Sequence, residues 1–91
     1  MSKVILKGQL RIPDDDLTTV LDALPEHMAL TKKEPGCLVF EVKQHSENAN
    51  ILEVYEEYES REAFTRHQVR TQASMWWEIT QHCERQYTIS E

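Results

Sequence analysis

His67, Glu56 and Tyr58 are the residues whose types and spacing in this 91-residue chain best suit proton transfer. An imidazole titrates near neutral pH, so His67 can take or give a proton. Glu56 and Tyr58 alternate with Leu52 and Val54 on one expected strand, which puts all four on one face. A carboxylate on an apolar face needs a partner or a wet pocket. Glu56 is therefore read either as the group that orients His67 or as a base with a raised pKa. The competing reading is structural. It makes His67 a helix-surface or capping histidine and pairs Glu56 with Arg66, Arg70 or Arg85.

Trp76 and Trp77 are adjacent, so one helix cannot bury both rings on the same face. Trp76 falls on an apolar stripe and suits the core. Trp77 is rotated by about 100° and suits a pocket wall or a dimer edge. An aromatic wall fits a flat ring. Phe40, Phe64, Trp76 and Trp77 are thus the candidate substrate-binding residues.

Other chemistries lack their residues. His27, His45 and His82 show no metal-ligand spacing with His67, and no cysteine is near them in sequence. The chain has two glycines and no phosphate-cradling loop, and no flavin or nicotinamide fingerprint is present. No Ser or Cys sits in a nucleophile elbow. The expectation is no metal and no cofactor. Cys37 and Cys83 have no CxxC spacing and are read as free thiols of a reducing compartment.

The net charge is -6, with no run of Lys or Arg. That argues against nucleic acid, whose phosphates need a basic surface, and against a membrane surface. No apolar run approaches the roughly 20 residues of a transmembrane helix. The N-terminal apolar run is too short for a signal peptide. A cytoplasmic protein is expected.

The elements that must position these residues follow from periodicity. Residues 3–12 alternate as a half-buried strand, with Val4, Leu6, Gly8, Leu10 and Ile12 on one face. Asp14, Asp15 and Asp16 are expected to cap a helix, whose stripe is Leu17, Val20, Leu21, Leu24, Met28 and Thr31. Pro25 should kink that helix or split it in two. Pro35-Gly36 stops it. Residues 37–45 form a second strand, with Leu38, Phe40 and Val42 on one face. A polar loop leads to a third strand over 51–58. Ser60 caps the next helix, on which Phe64 and His67 share a face. Thr71 to Cys83 is expected as a further helical stretch, with a stripe at Met75, Trp76, Ile79 and Cys83. Arg85, Tyr87 and Ile89 alternate in a last short strand.

This order, β-α-β-β-α-β over residues 1–91 as a single domain, matches the ferredoxin-like α+β arrangement: an antiparallel four-stranded sheet with helices on one face. Ile5, Val39, Ile51 and Tyr55 fall on the opposite sheet face. An apolar second face predicts burial against a second subunit. Glu53 and Glu57 share that face and are candidates for pairing across the interface.

Glu34-Pro-Gly-Cys-Leu-Val-Phe-Glu-Val42, Val54-Tyr-Glu-Glu-Tyr-Glu-Ser60 and Glu62-Ala-Phe-Thr-Arg-His67 together resemble the antibiotic biosynthesis monooxygenase superfamily. The resemblance covers essentially the whole chain in order and length. It implies a homodimeric α+β barrel, two sheets face to face, and a pocket between sheet and helices in each subunit. Activities in the superfamily include cofactor-free oxygenation of aromatics or quinols, haem degradation, and isomerisation or breakdown of a small signalling sugar derivative. Haem-degrading relatives use an asparagine in the first strand, a tryptophan near the end of the third and a histidine on the second helix. This chain has Lys7-Gly8, Tyr58 and Trp76-Trp77 near those positions, and none matches. The Tyr-Glu-x-Tyr and Phe-x-x-His pattern looks closer to the quinol-monooxygenase and signal-degrading branches. The leading expectation is a cofactor-independent monooxygenase acting on an electron-rich aromatic or quinol. The alternatives are a non-oxidative isomerase or degradative enzyme for a small hydroxy-carbonyl signal, and a binding dimer without turnover.

Overall fold

The computed structural model describes residues 3–91. Its elements run β1 (Val4–Arg11), a 3-10 turn (Asp14–Asp16), α1 (Leu17–Lys32), β2 (Cys37–Gln44), β3 (Ile51–Tyr58), α2 (Arg61–Gln72), α3 (Met75–Thr80) and β4 (Glu84–Ser90). The four strands form one sheet in the order β2-β3-β1-β4, and every neighbouring pair is antiparallel. This is the ferredoxin-like α+β fold.

Alternation along the strands decides which face carries helices. Val4, Leu6 and Leu10 of β1 and Leu52, Val54 and Tyr58 of β3 point the same way, and all are buried. They meet Ala63 and Phe64 of α2 in one apolar cluster, and Val20 of α1 with Trp76 of α3 in another. The helices therefore share one face of the sheet.

The turn before β2 ties this layer together. Gly36 has φ 89, a conformation that suits glycine. A Cβ there would lie 2.5 Å from Ala63 Cβ, so only glycine lets the turn press against the start of α2. The Glu59 amide donates to the Gly36 carbonyl at 2.8 Å and anchors the turn to the end of β3.

Several local expectations are corrected. Leu38 does not share a face with Phe40 and Val42. The β2–β3 register shifts between Cys37 and Val39, leaving Leu38 as an extra residue that is 50% exposed. Cys37 takes the inward place and packs on the cluster around Tyr58. Asp14, Asp15 and Asp16 form a 3-10 turn, and Asp16 makes no side-chain cap to α1. Its carboxylate instead meets His82 Nε2 at 2.7 Å. Pro25 does not split α1, which is continuous from Leu17 to Lys32.

The expected helix from Thr71 to Cys83 is also broken. α2 runs to Gln72, and Ser74 starts the short α3 by accepting from Trp77 N at 3.4 Å. Met75 is consequently 63% exposed rather than core. Ser60 does cap α2, its Oγ accepting from Ala63 N at 3.1 Å. Outside the helical layer, Ile51 is buried and Ile5, Val39 and Tyr55 are half-buried. That sheet face is more mixed than those four residues suggest, because register also places Lys7, Glu41, Glu53 and Glu57 on it. Glu57 pairs with Lys3 at 3.0 Å and accepts from the Tyr55 phenol. Among the described residues, no helix is long and apolar enough to cross a membrane.

Candidate functional site

β3 carries Glu56 into the space between sheet and helices, where it is 6% exposed. α2 brings His67 to the same place, at 4% exposure. His67 Nε2 lies 3.6 Å from Glu56 Oε1 and 3.4 Å from Thr71 Oγ1. Both His67 and Glu56 line a cavity of about 250 Å3. Leu6, Trp76, Trp77 and Tyr87 form much of its wall, with Arg85, Gln68 and Gln72 as polar lining.

The other imidazole nitrogen is taken. His67 Nδ1 sits 2.9 Å from Glu34 Oε1. Glu34 Oε2 accepts from Arg70 Nε at 2.5 Å, and Arg70 Nη2 donates to Thr31 Oγ1 at 2.8 Å. The spacing explains the network. Thr31 lies in the last turn of α1 and Glu34 two residues beyond its end, and His67 and Arg70 are three apart on one face of α2. A carboxylate at Nδ1 favours the tautomer with the proton there, leaving the Nε2 lone pair toward Glu56 and the cavity.

Environment separates the two groups. Burial pushes the Glu56 carboxyl up to about 7, with Glu34 adding to the rise and the Tyr58 hydrogen bond opposing it. Burial lowers the His67 pKa, Glu34 works against that fall, and Arg70 adds to it. At neutral pH His67 is an unprotonated base, and Glu56 holds a proton much of the time. Two neighbouring groups tuned apart in this way can serve as base and acid.

The candidate residues are not all brought together. Tyr58 is fully buried, and its phenol donates to Glu56 Oε1 at 2.7 Å. It does not line the cavity, and burial raises its pKa far out of range for proton exchange. Phe64 packs on Tyr58, with ring centroids 5.4 Å apart, and does not line the cavity either. Phe40 lies 6.1 Å from the His67 ring and lines only a small adjoining cavity of about 30 Å3. Trp76 and Trp77 both line the cavity shared by His67 and Glu56, and Trp76 also belongs to the core.

None of the arginines weighed as partners for Glu56 pairs with it. Arg70 serves Glu34, Arg85 bonds Thr80 and Cys83, and Arg66 is exposed.

Sequence reasoning missed the parts played by Glu34 and His27. His27 is 6% exposed and stacks on Trp76, with centroids 4.6 Å apart. It is read as polar in any hydropathy pattern, yet it lies between Val20 and Thr31 on the buried side of α1. Burial, helped by Arg70, His67 and Arg85, lowers its pKa to about 3, so it is neutral. The signal for Glu34 is its place immediately before Pro35-Gly36, since a rigid turn fixes where that side chain projects. Cys37 and Cys83 are free thiols. Among the described residues, no three His, Cys, Asp or Glu side chains gather as metal ligands.

A fold of this topology with a cavity between sheet and helices defines a class, and the comparisons supply the family. The antibiotic biosynthesis monooxygenase family model matches residues 3–76, and the chain belongs to that family. Its fold is shared by a conserved protein and possible oxidoreductase of Bacteroides thetaiotaomicron, at TM-score 0.85 and 20% identity over 99% of this chain and 97% of that one. A proposed antibiotic biosynthesis monooxygenase of Nitrosomonas europaea gives TM-score 0.85 and 16% identity over 97% and 88%. A variant of SnoaB, a cofactor-independent oxygenase of Streptomyces nogalater, gives TM-score 0.81 and 9% identity over 100% and 93%. No curated protein sequence matches the chain.

Proposed function

We propose that this chain is a cofactor-independent oxygenase of a small electron-rich aromatic or quinol, working as a homodimer of the α+β barrel type. One observation carries the reading. His67 has its Nδ1 committed to Glu34 and its Nε2 directed to a cavity shared with a carboxyl of pKa about 7. Membership of the family and the name of SnoaB support the reaction class.

In the proposed reaction His67 Nε2 takes a proton from the bound quinol, and Glu56 in its acid form donates a hydrogen bond to a substrate oxygen. The electron-rich anion gives electrons to dioxygen. One oxygen atom enters the ring and the other leaves as water, so a hydroquinone and dioxygen become a hydroxyquinone and water. The substrate supplies all four electrons. Leu6, Trp76 and Trp77 hold the ring and exclude water.

The test is oxygen uptake by the purified protein with hydroquinone, with the product identified by mass. Uptake with one labelled oxygen atom in the product supports the reading. A substrate that is converted without oxygen uptake would instead make the same acid–base pair an isomerase. No conversion of any quinol, with ring compounds still bound, would leave a binding dimer.

A further inference from the structure

Arg85 brings into the cavity a positive charge that makes no ion pair with an acidic side chain among the described residues. Its Nη1 donates to the carbonyls of Thr80 at 2.7 Å and Cys83 at 3.2 Å, and its Nη2 donates to Thr80 Oγ1 at 2.7 Å. All three acceptors are neutral. Arg11, Arg61 and Arg70 each reach a carboxylate. Arg85 has no ion-pair partner among the described residues, although it is half-buried.

The three bonds fix the guanidinium against the end of α3, and its carbon lies 5.0 Å from the Trp77 ring centroid. A guanidinium has five N–H donors, so two remain beyond these three bonds, and the Tyr87 phenol is within hydrogen-bond reach of the group. The two donors belong to a group that lines the same cavity as His67 and Glu56. Tyr87 lines it as well. Burial lifts its phenol to about 12, so it stays protonated and remains a hydrogen-bond donor. Glu56 is the only carboxyl among the lining residues; with a pKa of about 7 it is about half ionised at neutral pH, and it makes no ion pair with Arg85. The cavity therefore combines aromatic and aliphatic wall residues with one fixed cation that has no ion-pair partner among the described residues.

We propose that Arg85 is a recognition site for an anionic arm, and that the ligand of this cavity is a carboxylate-bearing aromatic, in the oxygenase a quinol acid. The quinol acid as reactant rests on the proposed oxygenase, whereas the binding of a carboxylate-bearing aromatic does not. A charged acceptor bonded to a guanidinium binds more strongly than a neutral isostere.

The test compares benzoate with benzamide by quenching of tryptophan fluorescence. Benzoate is expected to bind about tenfold tighter or more, roughly 1.4 kcal/mol. That preference should vanish in Arg85→Met and persist in part in Arg85→Lys. Because Arg85 also staples Thr80, nitrogen NMR of the Arg85 Nε–H in the parent protein serves where Arg85→Met does not fold. The signal should move with benzoate and not with benzamide. Equal binding of the two probes, a preference that survives Arg85→Met, or a signal indifferent to benzoate would overturn the proposal. Turnover separates the two readings. Gentisate, a carboxylated hydroquinone, should exceed hydroquinone in kcat/KM by about tenfold. Uptake that is equal with both refutes the anionic arm and leaves the oxygenase. No uptake with either refutes the oxygenase and leaves the benzoate result standing.

Discussion

Glu34 Oε1 stands 2.9 Å from His67 Nδ1 while its other oxygen holds Arg70 Nε at 2.5 Å, so one carboxylate clamps two residues of α2. It does so from the turn that ends α1, and that turn is pinned to β3 and α2 through Gly36. The orientation of the imidazole is therefore set by three elements of the fold, and the carboxylate favours the tautomer protonated at Nδ1. The pairing also opposes the effect of burial on the His67 pKa.

Replacing Glu34 tests that role. In Glu34→Gln the amide still accepts from Nδ1, but the charge that raised the His67 pKa is gone. Its pKa should fall further below the parent's, because burial and Arg70 then act unopposed. In Glu34→Ala the ring should populate both tautomers, and turnover should drop by about tenfold or more, part of the range for general-base catalysis. Nitrogen NMR of His67 reads tautomer and pKa together. An unchanged tautomer and titration in both variants would reduce Glu34 to a surface staple.

His67→Ala should lower quinol turnover by roughly 10²-fold or more if His67 is the base. A pocket histidine is expected to add little to stability, but this one is 4% exposed and bonded to Glu34. Its loss leaves the Glu34 carboxylate short of a donor, at a cost of about 1–3 kcal/mol. Oxygen uptake and thermal melting must be measured on the same preparation. Full activity in a destabilised variant would make the histidine structural.

The pH profile should be a narrow bell. Below the lowered pKa of His67 the ring is protonated and cannot accept a proton. Above about 7 the Glu56 carboxyl loses the proton it donates. Rate should therefore fall on the alkaline side near pH 7. Glu56→Gln keeps a hydrogen-bond donor without the titration, so its alkaline fall should disappear. A parent profile flat from pH 6.5 to 9 would remove Glu56 from the acid role.

The sheet face away from the helices bears on assembly. Val39 is half-buried there and pairs in register with Glu57. Val39→Asp would place an unpaired carboxylate beside Glu57 in the proposed interface. Light scattering should find the parent at twice 10.7 kDa and the variant at 10.7 kDa. A monomeric parent at micromolar concentration would defeat the dimer.

Much of this architecture is legible in the sequence because the strands obey simple alternation. Period two alone places Leu52, Val54, Glu56 and Tyr58 on one face, and residue type alone places the Ser60 cap. What escapes is decided by three-dimensional context. Leu38 turns outward because one residue is inserted against β3, and an inserted residue leaves no mark in hydropathy. The stretch from Thr71 to Cys83 suggests one helix, but α2 ends at Gln72 and Ser74 starts a separate α3. Glu34 is visible as part of a motif. Its partner His67 lies 33 residues away, and only the folded turn shows the bond.

His27 supplies a test that depends on the fold rather than on turnover. Its ring is neutral and stacked on Trp76, with a folded-state pKa of about 3 against 6.5 for the free group. The unfolded chain binds a proton there that the folded chain refuses. The stability linked to His27 is therefore complete above pH 6.5 and is lost as pH falls toward 3. At about 1.4 kcal/mol for each tenfold difference in proton affinity between the two states, the full loss is on the order of 5 kcal/mol. Glu56 acts in the opposite sense, since its raised pKa favours the folded state as pH falls from about 7 toward 4.5. The two contributions separate when parent and variant are compared. His27→Phe keeps a ring against Trp76 and removes the titration. Its urea midpoint relative to the parent's should rise steadily between pH 6.5 and 4. A difference that stays constant over that range would show that His27 takes up its proton in the folded state as readily as in the unfolded chain.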